Sequence, residues 1–325
     1  MSSAKAVVLL PEAAQTRVEE MNALARDVVF ERVDPRADLA EIHAACAGAV
    51  VLVAPNRPAT NDIAAGIAGL KLVQTFSAGT EGLDKARLLN LGIQVANCGG
   101  GNAACVAEHA IGLLLMVNHK LDRQAASVRA GRWSRDVTGP LTDFQTLTGK
   151  RIGIVGLGNI GSGVARRLKT WGAEIVYHDV VVYDADYERE AGARRIGRDE
   201  LLATCDVVSL HVPLDASTRA MVSTTEFRAM KPTAVLINTC RGPVVDEAAL
   251  IHALQTGEIF AAGLDVMETE PIAADNPLVT MPNVVLTPHL GSRAVESTVS
   301  VTRNAVENAE RIARGEPPEW VVDPV

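Results

Sequence analysis

Aromatic side chains are scarce: the 325-residue chain has three Trp, three Tyr and five Phe, 3% of its residues. With hydrophobic residues at 48%, its cores must be aliphatic, built from Val, Leu, Ile and Ala. Cysteine is also sparse. Cys46, Cys98, Cys105, Cys205 and Cys240 are odd in number, scattered and never in a C-x-x-C pair, so nothing points to a disulfide framework or a zinc site. No apolar run approaches the ~20 residues that span a bilayer, and Ala6–Leu10 is too short for a signal-peptide core. Positive charge is in deficit, with 31 Lys and Arg against 39 Asp and Glu and a formal net charge of −8. An acidic chain without a basic run offers no footprint for nucleic acid or an anionic membrane. The expectations are a cytoplasmic protein with reduced thiols, a small-molecule partner, no nucleic-acid or membrane partner, and no metal site.

What the chain does have sits near its middle. Residues 150–161 read as an apolar strand running into G-x-G-x-x-G at Gly156, Gly158 and Gly161. A helix-like stretch, Ile160 to Trp171, follows, and a second strand ends on Asp179. That order is a dinucleotide-binding βαβ unit. Gly156 permits the tight turn, Gly158 lets the backbone approach a pyrophosphate, and Gly161 lets the helix pack on the sheet. The pyrophosphate meets the N–H groups at the helix N-terminus. Asp179 stands where a carboxylate accepts from the adenosine ribose.

Two domains are the prior at this length. Ahead of the fingerprint, Ala6–Leu10, Val28–Phe30, Ala49–Val53, Leu72–Phe76 and Ile93–Ala96 read as strands separated by helical lengths. Such alternation implies a small parallel α/β domain. Gly99-Gly100-Gly101 reads as a hinge, or as an ordinary loop, with Asn102 a candidate N-cap for a helix from Ala103 to His119. Beyond the fingerprint, Asp206–Pro213, Thr233–Thr239, Ala261–Val266 and Asn283–Thr287 bring the sheet to about six strands. Asp246–Glu258 and Val295–Arg314 read as helices.

In open α/β sheets ligands bind beyond the carboxyl ends of the strands. Arg241, Glu270 and His289 each follow an apolar run in this second half. An arginine, a carboxylate and a histidine suit reversible hydride transfer to a 2-oxo acid. The guanidinium holds the substrate carboxylate, the imidazole exchanges the proton, and the carboxylate favours and orients the imidazolium.

These stretches also carry a resemblance. Val155–Gly161, Leu210–Leu214, Ile237–Gly242, Gly263–Pro271 and Thr287–Gly291 make the chain resemble a D-specific 2-hydroxyacid dehydrogenase over nearly its whole length. The fold that this resemblance implies is α/β: a Rossmann-like NAD-binding domain, residues 100–292, inserted into a smaller flavodoxin-like substrate domain, residues 1–99 and 293–325. It implies a homodimer joined through the nucleotide domains. It makes Arg241 the substrate arginine, His289 the acid/base and Glu270, directly before Pro271, its partner in preference to Glu268. Ala78, Gly79 and Thr80 would offer backbone donors to the substrate carboxylate. Asn159 and Ile160 would lie at the pyrophosphate and Val212 and Pro213 beside the adenine. Thr239, Cys240, Asp265 and Gly291 would line the nicotinamide side.

The implied activity is NAD-dependent interconversion of a small 2-oxo acid and its D-2-hydroxy acid, with glyoxylate, hydroxypyruvate and 3-phosphoglycerate-type acids as candidates. An NAD(H)-sensing binding protein of the same fold is the rival. The loop Ser77–Asp84 and the hinge entry Asn97-Cys98 depart from the family pattern and leave the substrate open. His109 reads as a hydrogen-bonded helix residue, and His211 as a residue that shapes the cofactor cleft. Cys240 is a small buried strand residue or a thiol open to oxidation. Trp133 packs in an arm joining subunits. Arg293 either pairs with Glu296 or reaches a second anionic group on the substrate.

Overall fold

A computed structural model describes residues 3–134 and 144–323. It divides into two compact units, Met1–Asn102 with Ala294–Val325, and Ala103–Arg293. In the first, β1 (Ala4–Leu9), α1 (Gln15–Leu24), β2 (Val28–Val33), α2 (Leu39–Ala45), β3 (Ala49–Val53), α3 (Ala59–Ala65), β4 (Leu72–Gln74), α4 (Lys85–Asn90) and β5 (Gln94–Ala96) alternate. The strands pair in parallel in the order β2-β1-β3-β4-β5, the flavodoxin-like arrangement. Runs such as Ala49–Val53 are apolar on both faces because helices cover both faces. Ile42, Ile63 and Leu88 pack on one side of this sheet, and Val18 and Met21 on the other.

The second unit holds α5 (Ala103–His119), α6 (Leu121–Arg129), β6 (Arg151–Val155), α7 (Asn159–Leu168), β7 (Glu174–His178), α8 (Ala185–Ala191), β8 (Arg194–Arg195), α9 (Arg198–Thr204), β9 (Val207–Leu210), α10 (Thr224–Ala229), β10 (Val235–Asn238), α11 (Glu247–Thr256), β11 (Ala261–Leu264) and β12 (Val284–Leu286). Its parallel sheet runs β12-β11-β10-β9-β6-β7-β8, a doubly wound order that reverses beside β6. α5 and α7 bury Ala107, Ile111, Leu114, Val164 and Leu168 on one face. α9, α10 and α11 bury Leu201, Phe227 and Leu250 on the other. The last helix, α12 (Val295–Ala313), returns to the first unit, where Ala305, Val306 and Ala309 join its core. No helix among the described residues is long and apolar enough to cross a membrane.

Several strand bounds differ from the sequence reading; β2, for one, runs on to Val33 beyond Phe30. β8 is two arginines long, too short and too polar to be read as a strand. β9 stops at Leu210, short of Pro213, which has no N–H to continue a ladder. β4 stops at Gln74, whose fully buried amide donates to the Thr75 and Asn97 carbonyls (2.9 and 2.7 Å) and accepts from Asn308 on α12 (2.7 Å). That side chain redirects the backbone into the loop that follows.

Candidate active site

The glycine turn is built for close approach. Gly156 adopts φ +92°, and a Cβ there would lie 2.6 Å from the His211 carbonyl. A Cβ on Gly161 would lie 2.0 Å from the Gly156 carbonyl, so only glycine lets α7 start against β6. A Cβ on Gly158, by contrast, would project into open space, and α7 has no side-chain cap at that residue. Asn159, Ile160 and Gly161 begin the helix, whose first N–H groups have no partners within it. The turn fits a pyrophosphate.

Asp179 follows β7 and is tied to the same turn. Its Oδ2 accepts from Leu157 N–H at 2.7 Å and its Oδ1 from Val181 N–H at 2.9 Å. A carboxylate offers about four acceptor sites, so capacity remains for ribose hydroxyls. The first arginine after it, Arg189, is turned away onto Asp186 (2.7 Å). Arg195 instead reaches over from β8 and donates to the Asp179 carbonyl at 2.7 Å, a neighbour that spacing along the chain did not reveal. Tyr187 donates to the Leu157 carbonyl at 3.0 Å and stacks on Tyr183, so two of the chain's few aromatics brace this corner.

At the ends of β9 and β10 two buried polar atoms, His211 Nδ1 and Thr239 Oγ1, have no partner among the described residues. Burial pushes His211 down to about 4, which leaves it neutral and unsuited to donate a proton near neutral pH. Val212 lies against the Gly156 turn, and Pro213 follows at the exposed edge. Burial pushes the Cys240 thiol up to about 11, and it donates to Asn238 Oδ1 at 3.1 Å. A protonated, bonded thiol favours the packing role over oxidation. Arg241 anchors one guanidinium N–H on the Cys240 carbonyl at 2.6 Å, and Asn238 Nδ2 donates to the Arg241 carbonyl at 3.0 Å. A Cβ on Gly242 would collide with the Met267 carbonyl, so only glycine lets the chain after Arg241 pass this close to it.

His289 and Glu270 come together beyond β12 and β11. His289 Nδ1 lies 2.8 Å from Glu270 Oε2, and Met267 N–H donates to the other carboxylate oxygen at 3.1 Å. Glu268 turns instead toward α11, where it and Glu247 exchange backbone N–H bonds. His289 stands at φ +55°, an uncommon conformation for a non-glycine residue. Its N–H donates to the Asp265 carbonyl at 2.8 Å. The Asp265 side chain, 2% exposed, accepts from Thr287 Oγ1 (2.6 Å), Leu290 N–H (3.0 Å) and Gly291 N–H (2.7 Å). Burial opposes its ionisation, but these bonds and one from His109 hold its carboxyl below the usual range. Asp265 thus has a task the sequence reading did not assign: it is the post on which the His289 turn is wound.

Ala78, Gly79 and Thr80 lie in the first unit, after β4. The Ser77 hydroxyl donates to the Gly79 carbonyl at 2.8 Å, and Leu83 N–H donates to the Thr80 carbonyl at 3.0 Å. Among the described residues, no acceptor takes the N–H groups of Ala78, Gly79 or Thr80. Arg293 forms no salt bridge among the described residues, so the ion pair with Glu296 is not made. No group of three or more His, Cys, Asp or Glu among the described residues could hold a metal ion.

A reversing parallel sheet, a glycine turn with a carboxylate at its rim and a histidine–carboxylate pair beyond the same strand ends define a dinucleotide-dependent oxidoreductase. Residues 111–291 match the profile of the D-isomer specific 2-hydroxyacid dehydrogenase, NAD binding domain. The chain is 38% identical over 254 residues to the glyoxylate reductase of Korarchaeum cryptofilum, covering 78% of this chain and 76% of that one. It is 33% identical over 320 residues to glyoxylate/hydroxypyruvate reductase B of an Enterobacter species, covering 97% and 96%. Among solved structures, a glyoxylate reductase from Paecilomyes thermophila superimposes with a TM-score of 0.85 at 27% identity, covering 99% of each chain. The chain belongs to the D-isomer specific 2-hydroxyacid dehydrogenase family. It is an NAD-dependent enzyme that interconverts 2-oxo and 2-hydroxy acids.

Proposed function

We propose that this enzyme reduces glyoxylate or hydroxypyruvate, with His289 as acid/base, Glu270 as its partner and Arg241 as the substrate clamp. The observation that carries the reading is the 2.8 Å contact between His289 Nδ1 and Glu270 Oε2. With Nδ1 facing the carboxylate, Nε2 is the nitrogen left to give a proton to the developing alkoxide. NADH, when bound, supplies the hydride. The glycine turn, Asn159 and Ile160 hold its pyrophosphate, and Asp179 holds its ribose. Val212 and Pro213 border the adenine, while Thr239, Cys240, Asp265 and Gly291 line the nicotinamide side. The Arg241 fork takes the substrate carboxylate. The names of the relatives support the substrate choice.

The reading includes a homodimer in the cytoplasm. Trp133, 91% exposed on the single chain, together with exposed Leu121 and Val128, supports a subunit contact there. Five free cysteines support a reducing compartment.

The test is steady oxidation of NADH with a panel of 2-oxo acids, where turnover faster with pyruvate or a bulky acid than with glyoxylate or hydroxypyruvate would overturn the substrate choice. No turnover with glyoxylate or hydroxypyruvate would overturn it likewise. In the same assay NADH is expected to exceed NADPH by about tenfold or more in kcat/KM, roughly 1.4 kcal/mol, because Asp179 repels a 2′-phosphate. Equal efficiency would remove Asp179 from that role.

Glu270→Gln is expected to retain NADH binding and to lower kcat roughly tenfold, because an amide in place of the carboxylate facing His289 Nδ1 at 2.8 Å no longer orients and supports the imidazolium that gives the proton. A variant with the parent's kcat would take the partner role from Glu270.

A further inference from the structure

We propose that His109, on α5 and outside the Arg241–Glu270–His289 set, is a positioning residue that holds the catalytic turn in place through Thr287 and Asp265. This rests on the reading of His289 as acid/base. His109 Nε2 lies 2.9 Å from Thr287 Oγ1 and 3.2 Å from Asp265 Oδ1. The directions of these bonds are forced. Asp265 is ionised and only accepts. The single Thr287 O–H is spent on Asp265 at 2.6 Å, so the Thr287 oxygen is left as an acceptor. His109 therefore carries a proton on Nε2 and donates it to the base of the turn.

That donor matters because the turn is strained. A non-glycine residue in a sparsely populated backbone region costs about 1–3 kcal/mol and persists only where its surroundings over-determine it. The other bonds that hold His289 at φ +55° come from the turn itself or from the end of β11. His109 is the group that comes from a separate element. α5 is a firm support, with Val106, Ala110, Ile111 and Leu114 buried. The fit is close as well: a Cβ on Gly291 would lie 2.8 Å from Asp265 Oδ2 and 3.4 Å from the His109 ring. The charged group in contact with His109 is Asp265, and the one in contact with His289 is Glu270.

A histidine present only for packing needs its ring, whereas a positioning histidine needs a donor at Nε2. His109→Phe keeps the ring and removes the donor. His109→Gln replaces the ring but brings an amide N–H to nearly the same place. With the full-length enzyme, NADH and its best 2-oxo acid, His109→Phe is expected to lower kcat about tenfold. The KM for NADH should change little, so the loss falls on kcat alone. His109→Gln is expected to recover kcat to within about threefold. Wild-type kcat in His109→Phe, or equal damage in both variants, would overturn the proposal. If the Phe variant does not fold, His109→Asn replaces it: its amide is one bond too short, so an Asn variant as active as the Gln variant would also overturn it. His289→Ala measured alongside separates the two readings. A fast His289→Ala enzyme removes the acid/base assignment itself, whereas a slow one beside a normal His109→Phe enzyme removes only the role of His109.

Discussion

His289→Ala is expected to bind NADH as the parent enzyme does and to lose about 10²-fold or more in kcat, on the order of 2.7 kcal/mol of barrier. Binding survives because the glycine turn and Asp179 stand at the ends of β6 and β7, whereas His289 follows β12. The side chain is 45% exposed, so its removal leaves no buried cavity. Backbone strain is the competing cause of a loss, since alanine is also uncomfortable at φ +55°. Asparagine tolerates that conformation well, so His289→Asn isolates the proton chemistry. Both variants should be slow, with NADH affinity measured by fluorescence titration and kcat under saturation. A His289→Asn enzyme within about threefold of the parent in kcat would end the acid/base role.

Arg241→Lys is expected to cost about 10²-fold in kcat/KM for the 2-oxo acid, with a raised KM and the NADH affinity kept. The charge is conserved, so any loss comes from geometry. The guanidinium anchors one N–H on the Cys240 carbonyl at 2.6 Å, and the proposed role needs the rest of its fork for the substrate carboxylate. An ammonium is a point charge without a planar fork and cannot do both in one fixed direction. A charge-assisted hydrogen bond contributes about 1.5–3 kcal/mol, which brackets a hundredfold loss. A Lys variant with the parent's KM for glyoxylate and hydroxypyruvate would show that the substrate carboxylate is held elsewhere.

The strands of both sheets were legible because their apolar runs are short, β-branched and bounded by polar stretches. Misreadings fell where a side chain or proline, rather than a pattern, ends a strand: Gln74 ends β4 by bonding its own loop, and β9 stops before Pro213. β8 escaped because two arginines carry no hydrophobic signal. The choice of Glu270 over Glu268 rests on its place before Pro271; in the structure Glu270 lies 2.8 Å from His289, and Glu268 is turned to Glu247.

By itself, the sequence determined the alternation of strand and helix, the glycine turn and the residues with the right chemistry for hydride and proton transfer. These follow from local rules: the period of apolar residues, the freedom of glycine, the ionisation of single side chains. What only the tertiary structure decided are the partnerships. Asp265 receives the His289 turn across a separation of more than twenty residues, His109 reaches that carboxylate from α5, and Arg195 meets the backbone of Asp179 from the neighbouring strand. Hydrogen bonds form between groups that folding brings within about 3 Å, and nothing in the spacing of those residues along the chain encodes that distance.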